Sequence, residues 1–518
     1  MIVFSIYVLI FIVGLWLLIK QGGNKFFTSR KNTSWILSGL SLFMLSLSVD
    51  QGQLITGIVA TNGFSGLWIL WIGWISAFVI PLVFAPYWRK LNFMTDNQFL
   101  LFRFPGKSGK ALHLFRALYV GGLVVALSIC FHLVGFSRFL SVCFNISTEL
   151  AIVLTGIILS LYTLKNMFDV KLKLDAFHAG IYFISFIVIL VSLWQSSDGF
   201  EGVSSYFTTH PEKLHLFPAQ ENTSSWFSFF IIIGVQWWSC NLFDGGGPEM
   251  SRFTAVENSR SATLTGLLPL FISFILGNLL LLTVLLVLGS SNTTSITELT
   301  YTEQVIKAIP EYLLPLIVAG LFGVFISTAE SLLLWGSSFL TIDVYQTYIK
   351  PKAPSAEQKW ITFCTIIFLI ILSTLFALLV DNLYTLILFT FSIAAGVAPV
   401  YILRWTWYRI NAWSQLSAML SSALFTLIYP LFHEASPLKD FPMEESRILI
   451  VTILTTATWL LVTFVTPNTS SEVSEKMLFL IDNPRQHYKK IGLALLLGVF
   501  MILIVAFITW SFLSYISR

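Results

Sequence analysis

Long apolar runs separated by short polar segments occupy nearly the whole chain. A helix that crosses the hydrocarbon core of a bilayer needs about 20 apolar residues. The first run, residues 2–19, is too long for the core of a signal peptide and follows no basic region, so we predict a membrane helix there. Further runs lie near residues 35–59, 64–85, 115–143, 148–164, 174–195, 225–243, 262–289, 311–336, 358–379, 383–404, 410–433, 446–466 and 490–513. The pattern predicts an all-α membrane protein with about 14 transmembrane helices.

Basic residues are distributed unequally between alternate loops. If the N-terminus lies outside, the predicted inner loops contain Lys25, Arg30, Lys31, Arg89, Lys90, Arg103, Lys107, Lys110, Lys165, Lys171, Lys173, Arg252, Arg260, Lys350, Lys352, Arg404 and Arg409. The predicted outer loops contain few, among them Lys213, Lys307 and Lys439. Because cytoplasmic loops carry the excess of Lys and Arg, we predict a cell-membrane protein with both termini outside.

Composition narrows the class of protein. Of the 518 residues, 56% are hydrophobic and 11% are charged, which excludes an ordinary soluble protein and leaves no room for a sizeable aqueous domain. The net charge of +4 is too dilute for a nucleic-acid surface. Cys130, Cys143, Cys240 and Cys364 lie in or at the ends of apolar runs, which is typical of small buried side chains. We find no cofactor motif and no catalytic constellation at membrane depth. The sequence therefore predicts one polytopic domain over residues 1–518 that is not an enzyme.

Two predicted spans contain polar residues and helix breakers. Residues 46–57 place Asp50, two glutamines and two glycines inside the second span, and residues 234–248 end the seventh with three glycines and Pro248. Irregular backbone is tolerated in a membrane only where protein or a watery cavity surrounds it. The breaks lie five spans apart, which is the arrangement of inverted-repeat transporters whose discontinuous helices bind substrate and ion near the midplane.

Each break also has a simpler interpretation. The first would be a polar helix that packs against its neighbours through small residues. The second would be a cytoplasmic turn, with Pro248 starting a short helix either within the membrane or at its inner face.

Five separated motifs resemble those of the sodium:solute symporter family, over about residues 35–415. They are Pro86-x-x-Arg89-Lys90 with Thr95 and Arg103-Phe104, Asp175, Arg252 with Ala255, Ser327-Thr328 with Asp343-x-Tyr345, and Trp407-x-Arg409-x-Asn411. The chain departs from the family pattern at Ser251, where the family has Gln, and before Asp175, where the family has Gly-Gly.

The resemblance implies a leucine-transporter-type fold with inverted five-helix repeats and discontinuous helices. It divides the chain into a peripheral first helix at 1–30, a first inverted repeat at 35–195, a second at 225–404 and peripheral C-terminal helices at 410–518.

The resemblance also implies a sodium site. It places the hydroxyls of Ser327 and Thr328 opposite backbone carbonyls of about Leu47 and Asp50, and oxygen atoms of this kind bind sodium in such transporters. Taken alone, adjacent hydroxyls in a membrane helix more often bond the carbonyl four residues back. By the same resemblance Asp175 lies on the path of the ion to the cytoplasm, and the carboxylate of Asp50 either adds charge to the site or pairs with a base. Val324 offers no oxygen for a second ion, so we predict one sodium ion per solute.

Substrate-facing positions follow from the same alignment. They are Gln53, Leu54, Thr56, Gly73, Ser76, Gln236, Trp237 and Asn241. Arg138 either binds a substrate carboxylate or extends to the outer headgroups. We expect His132 to be a packing residue and Glu330 to face a helix partner.

These predictions describe a sodium-coupled secondary active symporter that imports a small polar organic solute by alternating access. The solute is a sugar, a sugar acid or an amino acid, and sodium is the coupling ion, with no cofactor and no nucleic acid involved. The alternative is a membrane sensor on the transporter fold that signals solute occupancy. The absence of a kinase or receiver domain after the last span argues against it.

Overall fold

The computed structural model describes residues 32–91, 93–163, 168–219, 222–239, 244–290, 296–380, 382–468, 477, 480–481 and 484–516. The predicted first membrane helix at residues 2–19 and the candidate substrate residue Asn241 lie outside these ranges.

The described residues form helices and contain no strand. The α-helices are α1 Trp35–Ser46, α2 Gln51–Asn62, α3 Trp68–Trp71, α4 Trp74–Ala77, α5 Ala85–Leu91, α6 Gln98–Arg103, α7 Lys107–Leu118, α8 Val125–Phe144, α9 Thr148–Thr163, α10 Phe168–Ser196, α11 Phe200–Thr209, α12 Thr223–Ile231, α13 Trp237–Ser239, α14 Met250–Ala255, α15 Ser259–Ser290, α16 Glu298–Ala308, α17 Leu314–Ser338, α18 Ser355–Ala377, α19 Leu383–Ala395, α20 Ala398–Leu403, α21 Ala412–Phe432, α22 Met443–Val465 and α23 Pro484–Ile516. Short 3₁₀ helices lie at Gly63–Leu67, Pro211–Leu214, Gly247–Glu249 and His433–Ala435, and π-helical segments at Ile80–Phe84, Tyr119–Val124, Ile232–Gln236 and Phe339–Ile349.

The helices follow the predicted apolar runs. Within the described ranges, 9 helices are long and apolar enough to cross a membrane, and shorter apolar helices occur at Trp35–Ser46, Thr148–Thr163, Thr223–Gln236 and Leu383–Ala395. This agrees with a multi-pass membrane protein. The count of about 14 spans stays a prediction, because the first run lies outside the described residues.

Burial separates central from peripheral helices. In the helix Leu314–Ile349, 72% of the most apolar window lies inside the protein, compared with 22% for Arg485–Tyr515. The first of these contains α17, which packs against α1, α8, α10 and α18. The side chains of α17 are therefore held from several directions, and polar groups on it lie away from lipid.

The first predicted break is present. Helix α1 ends at Ser46 and α2 begins at Gln51, so four residues between them are not α-helical. Leu47 caps α1 in an extended conformation, with φ −86° and ψ 151°. The last carbonyl groups of α1 thus lack partners within their own helix.

The second break is also present, although residues 240–243 lie outside the described ranges. After α13 the chain continues through a glycine-rich turn in which Gly245 and Gly247 adopt φ values of 69° and 89°. Such positive φ angles favour glycine. Pro248 then begins a short helical segment, since the 3₁₀ helix Gly247–Glu249 runs directly into α14.

Helix α16 packs closely against α2. The side chain of Gln53 donates a 3.0 Å hydrogen bond to the hydroxyl of Thr302. A methyl group at Gly52 would lie 2.3 Å from the ring of Tyr301, so glycine is required for this approach.

We predict that Gly52→Ala separates α16 from α2. Overpacking of a dense interior costs about 1–3 kcal/mol, so the melting temperature of the purified protein, followed by tryptophan fluorescence in detergent, should fall. Gly180→Ala is the matched control, because a methyl group at Gly180 meets nothing within 4 Å. Equal melting temperatures for the two variants would contradict the prediction.

Candidate functional site

The hydroxyl of Thr328 lies at the end of α1, where the regular helical hydrogen bonding stops. Its Oγ1 is 3.0 Å from the carbonyl oxygen of Met44 and 3.2 Å from that of Leu47. Thr328 is 2% exposed. The structure therefore brings together a hydroxyl from α17, a carbonyl from the last turn of α1 and a carbonyl from the break.

Met44 is a member of this group that the sequence analysis missed. The sequence held a signal for Met44, because carbonyl groups in the last turn of a helix lack N–H donors from that helix. A predicted end of α1 at Ser46 places Met44 in the last turn and Leu47 directly after it, so both carbonyls become candidate ligands.

Asp50 lies at the start of α2. Its carbonyl oxygen accepts the backbone N–H of Leu54 at 2.8 Å, because Asp50 is the N-cap of α2. Its carboxylate accepts the hydroxyl of Ser48 and packs on Gly135 of α8. A role of the Asp50 carbonyl in sodium binding stays a prediction.

A buried polar cluster surrounds Asp50. The hydroxyl of Ser48 is also 2.9 Å from Nδ1 of His132, which gives this histidine a polar partner as well as a packing role. Among the described residues Asp50 Oδ2 has no hydrogen-bond partner, although Asp50 is fully buried. A buried carboxylate oxygen without a partner is costly in the absence of a ligand or water.

Ser327 presents its hydroxyl and its carbonyl to different partners. The hydroxyl lies 3.1 Å from Nδ1 of His178 on α10. The carbonyl oxygen accepts from the hydroxyl of Ser331 at 2.7 Å and from the ammonium of Lys171 at 2.8 Å. The adjacent hydroxyls of Ser327 and Thr328 therefore point towards α10 and α1 respectively.

Asp175 lies beside this pair in a network of charges. Its side chain accepts from the Ser41 hydroxyl and, at 3.0 Å, from the Lys171 ammonium. The guanidinium of Arg252 is 3.7 Å from the same carboxylate. Glu330 is 3.5 Å from Lys171, so its helix partner is α10. The sequence analysis assigned Lys171 to a basic inner loop, and its position in the core was not foreseen.

The candidate substrate residues of α2 point in several directions. Gln53 binds Thr302, and Leu54 lines a cavity of 260 Å³ whose walls include Trp71, Trp74 and Val505. Within the described part of the chain, Gln53 Oε1 and Thr56 Oγ1 have no hydrogen-bond partner.

The remaining candidates meet at α4 and α13. The hydroxyl of Ser76 donates to the carbonyl of Trp237, and Gly73 starts the same short helix as Ser76. Gln236 is fully buried, and the ring of Trp237 contacts that of Trp238 with centroids 5.2 Å apart. The structure thus joins the third and seventh predicted spans here, whereas Gln53 lies against α8 and α16.

Arg138 is paired within the protein. Its Nη1 lies 2.6 Å from Oε2 of Glu298 at the start of α16, and both side chains are largely buried. The sequence could not have paired residues that are 160 positions apart.

Charged residues from distant parts of the chain also converge at a second polar network. Asp96 pairs with Arg116 at 2.5 Å and accepts from the indole of Trp335 at 2.8 Å. Asp244 pairs with Arg404 at 2.6 Å. A cavity of 230 Å³ is lined by members of both pairs together with Trp335 and Tyr401.

Within the described ranges, no group of three or more His, Cys, Asp and Glu residues is arranged to hold a metal ion. The candidate cation ligands are hydroxyls and carbonyls at a broken helix, which is a donor set suited to sodium.

Comparison with known proteins decides the family. The model of the sodium:solute symporter family matches residues 26–422. The chain belongs to this family. It is 25% identical over 424 residues to the sodium/pantothenate symporter of Haemophilus influenzae, covering 78% of this chain and 84% of that protein. It is 23% identical over 487 residues to the sodium/glucose cotransporter of Vibrio parahaemolyticus, covering 85% and 86%.

A solved structure of a Na⁺-coupled sialic acid symporter, in a substrate-bound outward-open state, has the same fold. The TM-score is 0.69 with 16% identity, over 90% of this chain and 99% of that one. The sodium:solute symporter family consists of transporters, which confirms the prediction of a membrane transport protein rather than an enzyme.

We predict that the Asp96–Arg116 pair stabilises the fold. Asp96→Asn leaves a buried guanidinium without its carboxylate, and breaking such a pair costs about 3–5 kcal/mol. Thermal unfolding in detergent should show a marked loss of stability. Glu357→Gln breaks the Lys350–Glu357 pair, in which the lysine is 51% exposed, and should unfold close to wild type. A similar melting temperature for both variants would contradict the structural role of Asp96.

Proposed function

We propose that this member of the sodium:solute symporter family is a sodium-coupled symporter in which the ion binds where Thr328 meets the break between α1 and α2. The observation that carries the proposal is the approach of the Thr328 hydroxyl to the Met44 and Leu47 carbonyls, at 3.0 and 3.2 Å. A sodium ion would enter among these oxygens, and the hydroxyl of Ser327, which lies against His178 on α10, would turn towards α1 to join them. Discontinuous helices supply the carbonyls for sodium in such transporters.

The solute that we propose is small, polar and organic. Two relatives are named for pantothenate and for glucose, and the solved structure is that of a sialic acid symporter. These compounds share several oxygen-bearing groups. In this chain the buried polar groups of Gln53, Thr56 and Gln236 are suited to hydrogen bonding with a solute of the same kind.

Alternating access in this proposal involves polar groups on the outer side and on the cytoplasmic side of the bundle. Helix α16 covers α2 through the Arg138–Glu298 and Gln53–Thr302 contacts, and we assign it to the outer side from the distribution of basic residues. The 230 Å³ cavity beside Asp244 and Trp335 then lies towards the cytoplasm. Residues 35–195 and 225–404 would be the inverted repeats, and we place both termini outside. Asp175 would lie on the inner path of the ion.

We predict that Thr328→Val weakens sodium binding. Valine keeps the shape of threonine but removes the oxygen, and a contact to a charged group is worth about 1.5–3 kcal/mol. We expect at least about a tenfold rise in the sodium dissociation constant. The measurement is the sodium-dependent rise in melting temperature of the purified protein, with choline chloride replacing sodium chloride to hold ionic strength.

Ser337→Ala is the matched control for this test. Ser337 is a fully buried hydroxyl on the same helix, and among the described residues its hydrogen bond goes to the carbonyl of Leu334 in its own helix, at 3.3 Å. Its removal should leave the sodium response unchanged. If Thr328→Val and Ser337→Ala both responded to sodium as the wild type does, the ion would bind elsewhere.

Transport itself is tested in proteoliposomes that hold the full chain. A mixed pool of sugars, sugar acids and amino acids is offered with and without an inward sodium gradient, and the contents are identified by mass spectrometry. We expect at least one compound to accumulate only with the gradient, and Thr328→Val to reduce its uptake at low sodium. Equal accumulation in choline chloride would contradict sodium coupling.

A further inference from the structure

An ammonium group occupies an oxygen-lined position next to the candidate sodium site. The Nζ atom of Lys171 lies 2.8 Å from the carbonyl oxygen of Ser327, 3.0 Å from Oδ1 of Asp175 and 3.5 Å from Oε2 of Glu330. The lysine side chain has no exposed surface. Two helices, α10 and α17, supply all of these groups, so the oxygen atoms are held in place by the packing of the core.

We call the carboxylates of Asp175 and Glu330 and the carbonyl of Ser327 around this ammonium the cage. These oxygen groups are those of a cation site. Two carboxylates and a backbone carbonyl are oxygen ligands of the type that hard cations take. Burying an ammonium costs several kcal/mol even when it is paired, so a core lysine needs strong compensation. The carboxylates of Asp175, on the same helix, and of Glu330, on α17, provide this compensation.

The cage and the candidate sodium site share one residue. The Ser327 carbonyl contacts the ammonium, while the next residue, Thr328, faces the carbonyls of Met44 and Leu47. The core between α1, α10 and α17 therefore contains two adjacent places for a cation. One is the candidate sodium site, and the other is filled by a side chain.

Other charged and polar groups near the cage contribute to the net charge around it. Arg252 lies 3.7 Å from the second oxygen of Asp175 and donates to Ser331 at 2.7 Å. The charge of Glu249 also acts on Arg252. The hydroxyl of Ser41 and the ring of His178 are the neighbouring polar groups. Loss of the Lys171 charge would leave the carboxylates with a single nearby cation, Arg252.

We propose that Lys171 is a tethered cation that takes the place of a second sodium ion, between Asp175, Glu330 and the Ser327 carbonyl. The proposal rests on sodium binding at Thr328, as set out above. It follows that the wild-type protein binds one sodium ion. A variant without the ammonium exposes the same oxygen atoms to solution cations and binds a second one.

The test is the number of sodium ions bound by the purified full chain, measured by equilibrium dialysis with radioactive sodium at constant ionic strength. Wild type should bind one ion. Lys171→Ala removes the ammonium and leaves space, so it should bind two. Lys171→Arg keeps a cation in the cage and should bind one.

Double variants that also remove a negative charge test the inference even if Lys171→Ala alone fails to fold. Lys171→Ala with Glu330→Gln removes one charge of each sign and keeps Asp175, the carbonyl and an amide oxygen, so it should also bind two ions. Lys171→Ala with Asp175→Asn loses the nearest carboxylate and should return to one. The melting temperature of the two-ion variants should rise more steeply with sodium than that of wild type.

The outcomes separate this inference from the proposed function. No sodium bound by the wild type would contradict sodium coupling at Thr328. One ion bound by the wild type and one by both Lys171→Ala and its Glu330→Gln double variant would show that Lys171 is a structural ion-pair partner only. Two ions bound by the wild type would also overturn the inference, because the ammonium would then not be filling a cation position.

Discussion

The end of α1 inside the protein is the constraint on which the site depends. A helix that stops in an apolar core leaves carbonyl groups of its last turn with few N–H donors, and at Met44 the one backbone donor among the described residues, Leu47, lies 3.4 Å away. The hydroxyl of Thr328 meets two of these carbonyls, at Met44 and Leu47. The break is tolerated because α17 lies beside it, and α17 is itself enclosed by α1, α8, α10 and α18. The packing of the bundle thus preserves a group of partly satisfied oxygens in its interior.

Electrostatic pairing is the second condition for this core. Buried charges on α7, α10, α14 and α17 are neutralised by partners on the same helix or on other segments of the chain, as in Arg116 with Asp96, and Lys171 with Asp175 of its own helix and Glu330 of α17. Such pairs often add little net stability, but breaking one is costly. They therefore fix which helices face each other. The same pairing brings Lys171 to the carbonyl of Ser327 and links the charge network to the candidate ion site.

Much of the fold followed from local properties of the sequence. Apolar length predicted the membrane helices that the structure describes, because each span must satisfy its backbone internally and must match the bilayer. The polar stretch around Asp50 predicted the first break, since glycine and polar side chains weaken a helix locally. The Ser327-Thr328 pair and the motif residues around Asp343 indicated the family, which the comparisons then showed.

The sequence by itself therefore determined the membrane class, the helices, the broken segments and the family. Only the tertiary structure decided which polar groups meet. It brought the carbonyl of Met44 to the hydroxyl of Thr328, and it gave the carbonyl of Asp50 a backbone donor at the start of α2. It paired Arg138 with Glu298, and it moved Lys171 from an expected loop into the core. Helix length and hydropathy are local quantities, whereas pairs such as Arg138 with Glu298 and Lys171 with Glu330 join residues 160 and 159 positions apart and are set by the packing of the helices.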